Sequence, residues 1–270
     1  MKAKVTAIVN DKGGVGKTMT TVNLAYLISQ KAKTLLIDFD VQANSSVFYR
    51  EDFASLEGSE CIFTADPTIK YSQAIVAEEP VPNLFISTAN KRLGENAAQA
   101  SVTSPMRDYL LRNALRACDD DFEHVIIDCP PSPINLQKDN AIACANEIII
   151  PVTPDIASFQ GVVSVVHRIS AMNTTEPTIR IIVNGFQLTT KSINRRMEGW
   201  IAELKDGLNE MLANNKHGNP VNIIFDDEQI KIKRAISATE AHSLYYPLEI
   251  ADKNSETNQT LHLLARRIAV

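Results

Sequence analysis

Lys12-Gly13-Gly14-Val15-Gly16-Lys17-Thr18 is the stretch on which the reading of this chain turns. Before it stands a short apolar run, Val5 to Val9, which stops at Asn10-Asp11. Such a run, apolar without alternation, predicts a strand buried on both faces. After it, Met19 to Gln30 carries Val22, Ala25, Tyr26 and Ile28 at a spacing that suits a helix packed on a sheet. Glycines between a strand and a helix let the backbone turn tightly and bring N–H groups against phosphate oxygens with no Cβ in the way. The opening helix adds free N–H groups and its partial positive end. Lys17 supplies a point charge for β- and γ-phosphates, and the Thr18 hydroxyl suits Mg²⁺, which prefers oxygen donors.

Working outward, Thr34 to Ile37 predicts a second buried strand that ends at Asp38, which completes a strand–helix–strand unit and implies a parallel sheet. Further strands are predicted at Leu84 to Ser87, His124 to Asp128, Glu147 to Val152, Thr178 to Asn184 and Val221 to Phe225. Helices are predicted at Met106 to Cys118, Ile156 to Met172, Ile193 to Asn214 and Thr257 to Ile268. Strands and helices alternate from end to end. The expected fold is α/β, a doubly wound, mostly parallel sheet with helices on both faces, in one P-loop domain over 1–270. In such sheets ligands sit beyond the carboxyl ends of the strands. Lys12, Asp38, Asp40, Asp128 and Asn184 all fall there.

Composition narrows the partners. A formal net charge of −5 argues against a protein coated in basic residues, so any nucleic-acid contact must come from a local patch. None of the four cysteines, Cys61, Cys118, Cys129 and Cys144, sits in a C-x-x-C pair, which leaves a zinc or iron–sulfur reading little support. No apolar run approaches the ~20 residues of a membrane span, and the chain reads as cytosolic.

The phosphate loop departs from G-x-x-x-x-G-K-[ST]: Asp11 stands at the first glycine position, and a second lysine, Lys12, precedes the glycines. In this it resembles the deviant Walker A of the ParA/MinD ATPases. Ile37-Asp38-Phe39-Asp40-Val41-Gln42-Ala43-Asn44 is similar to their second motif, and Val125-Ile126-Ile127-Asp128-Cys129-Pro130-Pro131-Ser132 to their third. Pro151-Val152-Thr153-Pro154 and the strand end at Asn184 also fit. The resemblance runs from about Val5 to the last helix. Two positions depart from it: Met19, where the family usually has a second Thr, and Val41, where it usually has Pro.

The resemblance implies ATP and Mg²⁺ as cofactors. It places the nucleotide on Lys12, Gly13, Gly14, Val15, Gly16, Lys17, Thr18, Met19 and Asn184, the last offering its amide to the adenine edge. Thr18 would ligate Mg²⁺, with Asp128 acting on the ion through water and Asp38 holding either a Mg²⁺-bound water or the phosphate-loop lysine. Catalysis would rest on Lys12, Lys17 and Asp40: Lys12 reaches the phosphates of a partner subunit in an ATP-bound homodimer, and Asp40 positions the attacking water. ParA-like proteins bind DNA non-specifically, and two basic clusters are candidates: Lys231, Lys233 and Arg234, and Lys191, Arg195 and Arg196.

The implied activity is ATP hydrolysis, weak and stimulated by a centromere-binding partner, in plasmid or chromosome partition. The implied location is cytoplasmic and nucleoid-associated. With the first strand beginning almost at Met1, no N-terminal helix-turn-helix is expected. Two alternatives remain at this point. A membrane-cycling ATPase would need a lipid-binding amphipathic C-terminal helix, but Leu261, Leu264, Ala265 and Ile268 read as a face packed on the sheet. A nucleotide-switched scaffold for a protein complex would show weak hydrolysis and no DNA binding.

Overall fold

Val5, Thr6, Ala7 and Ile8 are wholly shielded from solvent, which places β1 (Lys4–Ile8) inside the sheet rather than at its edge. The computed structural model describes residues 3–64, 70–118, 122–132, 135–153, 155–172, 176–186, 191–214, 222–225, 231–233 and 247–269. After β1 come α1 (Lys17–Ser29), β2 (Thr34–Asp38) and α2 (Asn44–Tyr49). The next elements are β3 (Val76–Ala77), β4 (Leu84–Ser87), α3 (Arg92–Thr103), α4 (Leu110–Arg116), β5 (His124–Asp128) and α5 (Leu136–Cys144). Then follow β6 (Glu147–Val152), α6 (Ile156–Ala171), β7 (Thr178–Phe186), α7 (Lys191–Asn214), β8 (Asn222–Phe225) and β9 (Lys231–Lys233). Two helices close the described chain, α8 (Leu248–Ala251) and α9 (Glu256–Ile268).

The strands lie in the order β3-β4-β2-β5-β1-β6-β7-β8, with β9 also on β7. Only β3, a two-residue edge strand, runs antiparallel among the described strands. β7 is long enough to serve two neighbours in line: Thr178 to Ile181 pair with β8, and Val183 to Phe186 with β9. β1 lies between β5 and β6, and the chain leaves it toward β2 on one side and later crosses to β6 on the other. A crevice opens at such a reversal, beyond the carboxyl ends of the strands.

Because successive strand residues face opposite ways, the sheet feeds two cores. On one face Val5, Ala7, Ile37, Ile127 and Ile150 pack with residues of α3 to α7. On the other, Ile8, Leu36, Ile126 and Ile149 meet Leu24 and Ile28 of α1 and Leu261, Leu264, Ala265 and Ile268 of α9. The apolar face of the C-terminal helix is thus taken up by packing, as expected. Its N-cap is Ser255, whose side chain accepts from the Asn258 N–H. Between α6 and α7 an open apolar groove remains, where Phe159 and Trp200 meet edge to face with centroids 6.3 Å apart.

Several elements differ from expectation. The stretch Met106 to Cys118 contains a single 3₁₀ turn at Arg107–Tyr109 followed by α4. α2, α3, α5, α8, β3 and β9 were not anticipated, and β7 runs two residues past Asn184.

Candidate active site

The loop between β1 and α1 makes its turn at Gly14 and Gly16, with φ of 76° and 90°. Gly16 is doubly constrained. Its backbone is left-handed, and a Cβ there would lie 1.8 Å from Asn184 Nδ2. Among the described residues, none accepts a hydrogen bond from the backbone N–H of any residue from Gly13 to Met19. The first turn of a helix leaves such donors open by construction, and here the glycine turn extends the run. Gly16→Ala is expected to lower the unfolding free energy by about 1–3 kcal/mol. An unchanged denaturant midpoint would contradict this account of the turn.

Lys17, the first residue of α1, is 7% exposed, and its ammonium donates to the Lys12 carbonyl at 2.8 Å. Burial lowers its pKa, opposed by the carboxylates of Asp128, Asp40 and Asp11 and by Cys129. Asp128 ends β5, close enough to Lys17 to support its charge. It accepts from Ser45 Oγ at 2.6 Å and from the hydroxyls of Thr18 and, at 3.4 Å, Thr21. Burial raises its carboxyl above the usual range. Thr18 and Asp128 therefore meet as two oxygen donors at the mouth of the loop, a set that fits a hard divalent cation. Asp40 lies nearby, 9% exposed, and one of its oxygens accepts from the Gln42 N–H at 3.0 Å. Its other oxygen takes no hydrogen bond from a described residue.

Two residues expected at the site make local hydrogen bonds in this structure. Asp38, expected to hold a Mg²⁺-bound water or the phosphate-loop lysine, has both its oxygens in local hydrogen bonds. One accepts from the Ser46 N–H and hydroxyl, both at 2.8 Å, and the other from the Asp40 N–H at 3.0 Å. It fastens the start of α2 to the end of β2. Burial, reinforced by the neighbouring Asp128, raises its carboxyl pKa. Asn184 was expected to address a base. Its amide donates to the Val15 carbonyl at 2.7 Å, and its oxygen accepts from the Gly185 N–H at 2.8 Å. It clamps the phosphate loop from β7.

Lys12 is turned toward α6 of its own chain. Its ammonium lies 2.5 Å from Asp155, which caps α6 by accepting from the Ser158 N–H. Met19 sits partly buried against the α1 side of the core. Cys129, beside Asp128, is buried, and that burial pushes its thiol pKa well up, which suits packing rather than nucleophilic attack. Of the basic candidates, Lys231 and Lys233 lie on β9, in register with Val183 to Phe186 and so near Asn184. Lys191, Arg195 and Arg196 open α7. Arg234 lies outside the described residues.

The sequence reading missed Ser45, Thr21, Asp155, Asn10 and Lys138. Only Asp155 left a local signal, an Asp three residues before Ser158 at the head of an apolar helix.

Comparison with known proteins places this arrangement. A family model described as an AAA domain matches residues 3–181. The "Chromosome-partitioning ATPase Soj" of Treponema pallidum is 32% identical over 176 residues, covering 63% of this chain and 67% of that protein. The "Chromosome partitioning protein ParA" of Caulobacter vibrioides is 27% identical over 277 residues, covering 98% and 93%. Two further relatives at 31% identity are matched over 58% and 64% of their lengths, so this chain's match spans less than two thirds of them. Among solved structures, apo McdA from Cyanothece superposes with a TM-score of 0.78 at 20% identity, covering 99% of this chain and all of that one. The motifs, the fold built around them and these matches agree: the chain belongs to the ParA/Soj family of P-loop ATPases.

Proposed function

We propose that this chain, acting as one ATPase domain, binds ATP with Mg²⁺ and hydrolyses it to ADP and phosphate in the service of plasmid or chromosome partition. The observation that carries the reading is the run of backbone N–H groups from Gly13 to Met19 that find no acceptor among the described residues, beside the buried ammonium of Lys17. Seven consecutive donors, a cation and a helix start form a site for a polyanion. Thr18 and Asp128 would hold Mg²⁺, which neutralises charge on the β- and γ-phosphates. Asp40, with one carboxylate oxygen unengaged among the described residues, orients the attacking water.

Hydrolysis is slow in the lone subunit and is stimulated by a centromere-binding partner. In the ATP-bound homodimer Lys12 leaves Asp155 and reaches the partner subunit's phosphates, coupling turnover to association. The dimer binds DNA non-specifically through the clusters at Lys231, Lys233 and Arg234 and at Lys191, Arg195 and Arg196. The protein then works in the cytoplasm, on the nucleoid, and forms no stable association with membranes.

The test is a DNA titration with ATP, ADP or no nucleotide. Binding is expected with ATP alone, and to weaken by at least about tenfold between about 50 and about 200 mM salt, since only a few phosphate contacts are needed for such a slope. Equal binding in all three nucleotide states would sink the switch. Absence of binding would leave a nucleotide-driven scaffold without a DNA arm.

A further inference from the structure

The phosphate loop is anchored at its first residue by a charge that none of the motifs contains. Lys138, on α5, is 1% exposed, and its ammonium lies 2.5 Å from Asp11 Oδ1. The same ammonium donates to the carbonyl of Ser132, in the turn that follows Asp128. The second oxygen of Asp11 accepts from Ser164 Oγ of α6 at 2.6 Å. Next to it, Asn10 donates to the Pro151 carbonyl at 2.9 Å and accepts from the Lys12 N–H at 2.9 Å. A Cβ on Gly161 would lie 2.2 Å from Asn10 Oδ1, so α6 approaches this segment as closely as a missing side chain permits. Residues 10–12 are therefore fixed to β6, α5 and α6 before the glycines begin.

Asp11 is an unfavourable choice taken alone. A carboxylate two residues before the first glycine stands beside the place where a triphosphate would lie, and like charges at short range in a partly dry site repel strongly. A buried ammonium without a partner is equally unfavourable. Each group is tolerable only because of the other. We propose that Asp11 and Lys138 are a charge-neutral positioning pair for nucleotide binding. Lys138 ties the phosphate loop to the turn after Asp128, so that the anion-binding wall and the Thr18–Asp128 wall are held in one geometry. This rests on the reading of the loop as an ATP site.

The experiment is calorimetric titration of the full chain with the non-hydrolysable triphosphate AMPPNP and Mg²⁺. It compares the unaltered protein, Lys138→Met and the double variant Asp11→Asn/Lys138→Met, each checked for a cooperative melt. Lys138→Met leaves the Asp11 carboxylate uncompensated and is expected to weaken binding by at least about tenfold, while the neutral double variant recovers to within about threefold. The loss in the single variant is larger for the triphosphate than for ADP, because more anionic charge is repelled. A purely structural defect would show neither the recovery nor that difference.

Unaltered protein that takes up no AMPPNP sinks the ATP reading itself, and the pair's role with it. Uptake by the unaltered protein with equal affinity in Lys138→Met overturns the pair alone. Should Lys138→Met not fold, the double variant decides. Binding within about threefold of the unaltered protein supports the pair, and a loss beyond about tenfold overturns it.

Discussion

Lys17→Ala is expected to abolish ATP uptake, weakening affinity by at least about 100-fold, or about 2.7 kcal/mol, while the protein still folds. The two halves of that outcome have separate causes. Lys17 is a cation in a place where burial works against its charge and lowers its pKa, opposed chiefly by the nearby carboxylates. Among the described residues its ammonium has one hydrogen bond, to the Lys12 carbonyl. Folding therefore gains little from the charge, and the residue is positioned for a ligand that brings negative charge of its own. Removing it should move the melting temperature by no more than about 4 °C, about 1 kcal/mol for a chain of this size. Calorimetry with Mg²⁺ and ATP, beside a thermal melt, reads both. Undiminished uptake would mean that the phosphates lie elsewhere, and a collapsed melt would mean that Lys17 is structural.

Asp40→Ala separates binding from chemistry. Affinity for ATP is expected to stay within about threefold, and phosphate release to fall by at least about 100-fold, the usual worth of a positioned base or water-orienting group. Asp40 also accepts the Gln42 N–H, so its loss loosens the turn before α2 as well. Asp40→Asn keeps an oxygen for that N–H and removes the charge, and turnover should fall alike in both variants. Full turnover in either would assign the water to another residue.

The parts of this molecule that could be read from its sequence are those where local chemistry and tertiary role coincide. β1, β2 and β5 carry mostly apolar residues between polar ends, with no alternation, because both their faces are covered. The glycine turn could be recognised because backbone conformation and phosphate chemistry ask for the same residues. α5 could not. Gln137, Lys138, Asp139 and Asn140 are all buried, so its polar side chains point inward and its periodicity is scrambled. Their partners are distant in the chain: Asp11 for Lys138, Arg168 for Asp139, and the Leu111 N–H and Arg107 carbonyl for Asn140. α3 was overlooked for a different reason, since two of its three buried residues, Ala97 and Ala100, are small.

Asp38 and Asn184 show the limit most sharply. Each stands at the carboxyl end of its strand, as expected, and each also hydrogen-bonds nearby backbone that its position in the sequence did not announce. Position along a strand says where a side chain starts, not which neighbour it meets.

The groove between α6 and α7 gives the molecule an optical property. Trp200 is the chain's only tryptophan, and its indole rests partly buried against Phe159, one turn into the helix that Asp155 caps. Asp155 is also where Lys12 is held, so the ion pair and the single indole lie on the same helix–helix seam. The ultraviolet emission of the unlabelled protein is expected to shift when nucleotide draws Lys12 away from Asp155, and titration with ATP and Mg²⁺ reads this directly.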